Sequence, residues 1–302
     1  EQATQYACAD ADFCLQLVQL FEPKISAQFN ELYTNIELPL VKVLATMELQ
    51  GVCLDTHCLK ALETSFQEKR QQQELEVIRL AGGPFNLQSS QQLGQVLYHD
   101  LNLPVIKKTK TGPSTDSSVL EQLEHPIATH MLSYRMYTKL LNTYVTALPK
   151  LLNSSSQRIH THFNQCVTAT GRLSSTKPNL QNIPVRRPEG QQIRAAFVSS
   201  FDNGYVLSID YSQIELRVLA HLSEDEGLTT AFDENRDIHQ SSAAMLYNCA
   251  YEDVSSSQRD AAKTVNFGIT YGQGATALSK QLNMSRKEAQ EIINAYHEQF
   301  PK

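Results

Sequence analysis

The sequence predicts an α+β protein of two or three subdomains. A chain of 302 residues, 41% hydrophobic and 19% charged, can bury more core than one small domain holds. Several segments carry apolar residues at helical spacings of three and four, bounded by Gly and Pro. Two short stretches, 158–170 and 206–209, have the alternation or the unbroken apolar run of strands. No internal repeat or low-complexity tract interrupts this pattern.

Residues 1 to about 30 read as one helix followed by a polar break. LPLVKVLATMELQ, residues 38–50, is apolar on one helical face until Gly51, where a helix stop precedes a short turn into VCLD. From Thr56 to Ala81 a charged, glutamine-rich run without breakers predicts a long exposed helix, ended by Gly82-Gly83-Pro84. A small helix follows in SSQQLGQVLYHDL. VIKKTKTGPSTDSS, residues 105–118, then alternates Lys with Thr and Ser around Gly-Pro, which favours a mobile loop. Lys107, Lys108 and Lys110 can straddle a phosphate backbone there, with a solvated loop carrying stray lysines as the competing reading. Residues 127–152 form another helical pattern. RIHTHFNQCVTAT alternates as a strand, and His160 and His162 fall on one side of it with no third ligand at metal spacing.

The net charge of −6 argues against a uniformly basic nucleic-acid coat, but the mean hides local contrast. Between residues 157 and 200, Arg158, Arg172, Lys177, Arg186, Arg187 and Arg194 face only Glu189, so this stretch can hold phosphates. The chain starts at Glu1 with no apolar leader segment, and no apolar run approaches a membrane span, so neither secretion nor a membrane is expected. Six cysteines without C-x-x-C spacing predict reduced, mostly structural thiols.

Three stretches carry chemistry. ATGRLSSTKPNLQNIPVR, residues 169–186, is rich in turn formers. Its Arg172, Asn179, Gln181 and Asn182 offer planar donors and acceptors suited to the sequence-tolerant edges of a minor groove. An ordinary turn bonding its own backbone is the competing reading. In GYVLSIDYSQIELRVLAHL an apolar strand, 206–209, runs into Asp210, which then sits at a strand end. The Tyr211 carbonyl beside it is a second hard oxygen for Mg²⁺. Ser212 and Glu215 also spell a capping box, the bland reading of Glu215. In QRDAAKTVNFGITYGQG, Arg259, Lys263, Phe267 and Tyr271 recur every four residues and line one helical face. Two cations followed by two aromatics match a nucleoside triphosphate in order and scale. Gly268 and Gly272 would remove side chains where a base pair comes close.

In this order the three stretches resemble family A DNA polymerases, of the bacterial DNA polymerase I kind. DYSQIELR is similar to that family's motif A, and Arg259-x-x-x-Lys263-x-x-x-Phe267-Gly268-x-x-Tyr271-Gly272 to motif B. TGRLSS followed by PNLQNIP is similar to its duplex-contact segment. The resemblance implies a right-hand polymerase fold of thumb, palm and fingers, preceded by the last helix of a ribonuclease H-like 3′-to-5′ exonuclease domain. Its divisions are 1–28 for the exonuclease-like end, 29–56 for the palm/thumb connection, 57–152 for the thumb, 153–236 for the palm with motif A at 206–219, and 237–302 for the fingers with motif B at 259–272.

The same resemblance implies template-directed addition of dNTPs to a primer 3′-hydroxyl in DNA repair and replication. The partners it implies are primer–template DNA and dNTPs, the cofactor two Mg²⁺ ions with Mn²⁺ able to substitute, the state a monomer, and the location the bacterial cytoplasm. Asp210 and the Tyr211 carbonyl are the implied metal ligands. Arg259 and Lys263 are implied to neutralise the triphosphate, with Lys263 protonating the departing pyrophosphate. Gln213 and His239 are implied to assist there, Phe267 and Tyr271 to shape the pocket, and Glu215 to act as the gate that excludes a ribose hydroxyl. Tyr6-x-x-x-Asp10 is similar to the last exonuclease motif, and proofreading by these residues alone is not expected. No His-Asp-Glu triplet of the motif C type occurs up to Lys302, so the 302 residues alone are expected to lack turnover. The competing readings are a non-catalytic duplex-binding remnant and a single-subunit RNA polymerase.

Overall fold

The computed structural model describes residues 2–301 apart from 111, 186 and 283. Arg186 of the basic stretch therefore lies outside the described residues. Contacts divide the chain into two units, Glu1–Leu207 and Ser208–Lys302, a division that falls inside the span expected to be palm.

The first unit opens with α1 (Gln2–Gln28), a short α2 (Asn30–Leu32) and, after a wide π turn, α3 (Leu38–Gln50). The helix expected over the first thirty residues is present. However, no residue of α1 is buried, and Phe13 and Leu20 remain 61% and 54% exposed, so among the described residues its apolar stripe packs on nothing. Gly51 stops α3 at φ 61°, where a Cβ would also come within 2.5 Å of the Ile159 carbonyl. The expected turn after it is a strand, β1 (Val52–Leu54).

α4 (Thr56–Ala81) begins at Asp55, whose carboxylate accepts from the Cys58 N–H at 2.9 Å. It ends at Gly82 in the left-handed region, where the Gly83 N–H closes back on the Ile78 carbonyl. This helix was expected to be exposed, yet Leu59, Phe66 and Val77 are fully buried: a sparse apolar stripe is enough when two cores meet it. α5 (Ser90–Gln95) follows, and the expected loop is instead a small hairpin of β2 (Lys108–Thr109) against β3 (Gly112–Pro113). α6 (Ser117–Leu120) leads into α7 (Pro126–Leu140), the principal partner of α4.

β4 (Arg158–Ile159) and β7 (Phe197–Val198) flank β1 antiparallel, while β5 (His162–Asn164) pairs with β6 (Ser174–Thr176), and α8 (Pro188–Ala195) precedes β7. One core joins Leu59 and Phe66 of α4 to Tyr137, Tyr144, Ile159 and Ile193. The other joins Val77 to Leu93, Leu97, Ile127 and Met131. His160 and His162 both meet Glu48, through its carbonyl and its carboxylate, which staples α3 to this strand region. All six cysteines are free, and none is fully buried.

The second unit comprises α9 (Ile214–Ser223), α10 (Glu226–Asp233), α11 (Ile238–Leu246), α12 (Ser256–Thr270), α13 (Ala275–Leu282) and α14 (Arg286–Gln299). Its core gathers Leu216, Leu228, Ile238, Val265, Leu278 and Tyr296. The strand expected at 206–209 does not form. Val206, Leu207 and Ile209 are 65%, 80% and 84% exposed in backbone that pairs with no described strand. A strand needs a neighbour to take its N–H and C=O groups, so an apolar run alone does not make one. No helix is long and apolar enough to cross a membrane, among the described residues.

Candidate nucleotide and duplex-contact sites

Motif B is α12, and local chemistry sets both its ends. Ser255 and Gln258 form a reciprocal capping box at the start. At the end Gly272 has φ 77°, with its N–H on the Ile269 carbonyl and the Gln273 N–H on that of Gly268. Ala262, Val265, Asn266 and Ile269 face the core. Arg259 and Phe267 are half-buried, and Lys263 and Tyr271 exposed, so the four spaced residues share the other side. Nothing lies within 4 Å of a Cβ at Gly272, and its left-handed backbone by itself favours glycine. At Gly268 a Cβ would meet the Gln273 side chain.

Motif A begins in the unpaired segment. Asp210 and Tyr211 are exposed there, rather than held at a strand end. α9 starts at Ile214 with Gln213 at φ 53° and no side-chain cap. The capping-box alternative for Glu215 is thereby removed. Its Oε2 instead accepts from the Tyr271 hydroxyl at 2.9 Å, fifty-six positions along the chain. Gln213 Oε1 accepts from the Ile238 N–H at 3.1 Å, at the start of α11. Two hydrogen bonds thus tie the residues after Asp210 to the elements that carry the Asp-Ile-His-Gln run and motif B.

His239 is only 1% exposed. Its Nδ1 lies 3.0 Å from the Asn266 amide, and its ring packs at 5.5 Å and 53° against Phe267. With the amide NH₂ donating, the ring proton sits on Nε2. Burial pulls the imidazole pKa down to about 4; Asp237 opposes this, while Arg259 and Lys263 add to it. The folded value is below the ordinary 6.5, so the neutral ring stabilises the fold above that pH, and the contribution is lost as pH falls from 6.5 towards 4. The expected acid sensitivity is about 1–3 kcal/mol after allowance for solvent screening. Melting curves of the wild type and His239→Gln across pH 7 to 4 check it, with the variant showing the flatter dependence.

Asp237 is a residue the sequence reading did not single out. Its Oδ2 accepts from Arg259 Nε at 2.9 Å and Nη2 at 2.6 Å, and its Oδ1 caps α11 through the Gln240 N–H at 3.1 Å. Burial works against its charge, but the Arg259 guanidinium and the Gln240 N–H outweigh that and hold the carboxyl below its ordinary range. Asn266 was missed likewise. The signal for both was their place within helical turns of residues already marked, Asp237 two before His239 and Asn266 three after Lys263.

In the first unit, Arg172, Asn179, Gln181 and Asn182 are all exposed. Asn179 Oδ1 accepts from Ser175 Oγ at 3.1 Å and the Gln181 N–H at 2.9 Å, and Asn182 Oδ1 accepts from the Tyr144 hydroxyl at 3.1 Å. The turn bonds itself through the Asn179 oxygen, while the Asn182 oxygen takes Tyr144 from outside it, and neither amide NH₂ donates to a described residue. Lys107, Lys108 and Lys110 lie exposed on the β2–β3 hairpin, Lys107 at 3.8 Å from Asp116. Tyr6 and Asp10 are exposed on α1.

The sequence model of DNA polymerase family A matches residues 56–302. The thermostable DNA polymerase I of Thermus thermophilus is 52% identical over 276 residues, covering 90% of this chain and 33% of the relative. DNA polymerase I of Pseudomonas aeruginosa is 46% identical over 308 positions, covering 100% of this chain and 34% of the relative. The chain therefore spans about a third of the length of these relatives. Among solved structures, the POL domain of Pol1 from M. smegmatis, in complex with DNA primer-template and dNTP, matches with a TM-score of 0.86 at 38% identity, over 98% of this chain and 52% of that one. The mixed α+β fold is thus that of a family A polymerase domain. With a family match across most of its length and relatives near half identity, the chain belongs to DNA polymerase family A.

Proposed function

We propose that the protein containing these residues is a template-directed DNA polymerase, adding dNTPs to a primer 3′-hydroxyl. One observation carries this reading: a helical face ordered Arg259, Lys263, Phe267 and closed by Tyr271 at the C-cap, with the Tyr271 hydroxyl on the Glu215 carboxylate. The two cations suit a triphosphate, and the two rings suit a base and sugar farther along. Lys263, exposed and one turn beyond Arg259, is the ammonium that hands a proton to the leaving pyrophosphate. Glu215, fixed by Tyr271, fills the space beside the sugar C2′.

The donors at the start of motif A fit Mg²⁺: the Asp210 carboxylate and the Tyr211 carbonyl are hard oxygens on an exposed segment. Bound there, the ions would supply Lewis-acid activation of the primer hydroxyl and neutralisation of phosphate charge. One carboxylate leaves a two-ion site short of ligands. In the first unit, amide NH₂ groups of Asn179 and Asn182 suit the acceptors that every base pair shows in the minor groove, and Lys107, Lys108 and Lys110 suit phosphates.

The test is primer extension by the whole gene product and by residues 1–302 alone, with matched and mismatched dNTPs. Templated extension is expected of the former and none of the latter. A whole gene product that binds duplex DNA but never extends it sinks the reading.

A further inference from the structure

Four consecutive residues at the start of α11 are held by three different parts of the second unit, two of them by α12. Asp237 takes Arg259, the Ile238 N–H is taken by Gln213, His239 meets Asn266, and the Gln240 amide donates to the Tyr251 carbonyl at 2.8 Å. Tyr251 also receives the Asp237 N–H on its hydroxyl at 3.1 Å. The carboxylate of Asp237 is the most heavily used group among them, since one oxygen caps the helix and the other takes two N–H groups of one guanidinium.

The geometry of that pair is directional. Arg259 spends its Nε–H and one Nη2–H on Asp237 Oδ2, which leaves the Nη1 and remaining Nη2 donors as a second planar fork. A planar fork is the shape that grips a phosphate through two oxygens. The side chains are 35% and 25% exposed, so the pair is neither sealed in the core nor loose in solvent. An arginine on an open helix face samples many rotamers, and a ligand must freeze them out on binding. Here the freezing precedes the ligand.

We infer that Asp237 is a positioning residue for nucleotide binding, holding Arg259 by one edge so that the other edge is presented to the triphosphate. The inference rests on the nucleotide-binding role proposed for Arg259. Asp237 touches no reacting atom; it acts through Arg259 and, by capping α11, keeps His239 and the Gln213 contact in register with it.

The test is a double-mutant cycle in single-nucleotide incorporation by the whole gene product, using Asp237→Asn, Arg259→Ala and both together. Asparagine keeps a capping oxygen and the side-chain size, so the helix start survives while the charge is lost. Asp237→Asn is expected to raise KM for dNTP about tenfold with kcat changed far less, as for lost ground-state binding. In the Arg259→Ala background the same change is expected to add less than about a twofold effect. If Asp237→Asn leaves KM untouched, or costs as much without Arg259 as with it, the inference is overturned. Should Asp237→Asn melt early, Asp237→Ser is carried through the same cycle. The underlying role fails separately: if Arg259→Ala alone has wild-type KM, the nucleotide-binding reading of Arg259 is at fault.

Discussion

Asp210→Asn in the whole gene product is expected to abolish primer extension while leaving the fold intact. The side chain is exposed and makes no hydrogen bond or ion pair among the described residues, so its replacement should shift stability by less than about 0.5 kcal/mol. Asparagine keeps the shape and one oxygen but not the charge, and that charge is what a divalent ion requires of this ligand. Losing several kcal/mol of transition-state stabilisation, at about 1.4 kcal/mol per tenfold, means a fall in kcat of about 10³-fold or more. Single-turnover incorporation beside a melting curve separates the two effects. Extension at wild-type rate by a folded Asp210→Asn protein would show that Asp210 is not the metal ligand, whereas failure of the unsubstituted protein to extend would leave the duplex-binding remnant as the better reading.

Glu215→Ala is expected to open the pocket to ribonucleotides. The carboxylate does not cap its own helix but takes the Tyr271 hydroxyl at 2.9 Å, so its position is set by the helix carrying the aromatic pair. A side chain held in this way excludes a 2′-hydroxyl by volume, and its removal should raise the ratio of rNTP to dNTP kcat/KM about 10²-fold or more. Tyr271→Phe keeps the ring and removes only the hydroxyl. It should relax the same ratio by a smaller factor, since a loosened gate still has its bulk. An unchanged ratio in Glu215→Ala would show that the sugar is selected elsewhere. The single-subunit RNA polymerase reading is then again open.

These two residues also show where sequence reasoning reaches and where it stops. The cation-to-aromatic order of Arg259, Lys263, Phe267 and Tyr271 was legible from spacing alone, because four residues return a helix nearly to the same face. The end of α4 was legible for a similar reason, since Gly82 acts on backbone groups within a turn of itself; the caps at Asp55, Ser255 and Gly272 are equally local but emerged from the structure. Glu215 offered a local partner in Ser212 and took a distant one in Tyr271. Asn179 and Asn182 were readable as amides near DNA or as turn residues. Asn179 serves the turn through its oxygen, Asn182 takes the distant Tyr144 hydroxyl with its own, and neither NH₂ group donates to a described residue.

What the sequence determined by itself is the course of the longer helices of the first unit, the glycine stops at Gly51 and Gly82, and the chemical order along motif B, all of which depend on groups within four or five residues of one another. Tertiary structure alone decided that 206–209 stays unpaired, that Asp237 and Asn266 stand behind Arg259 and His239, and that α4 buries three positions of a face that reads as polar. Strand pairing, ion pairing and burial are settled between groups tens of residues apart, and the identity of the partner is not encoded in the neighbours of either one.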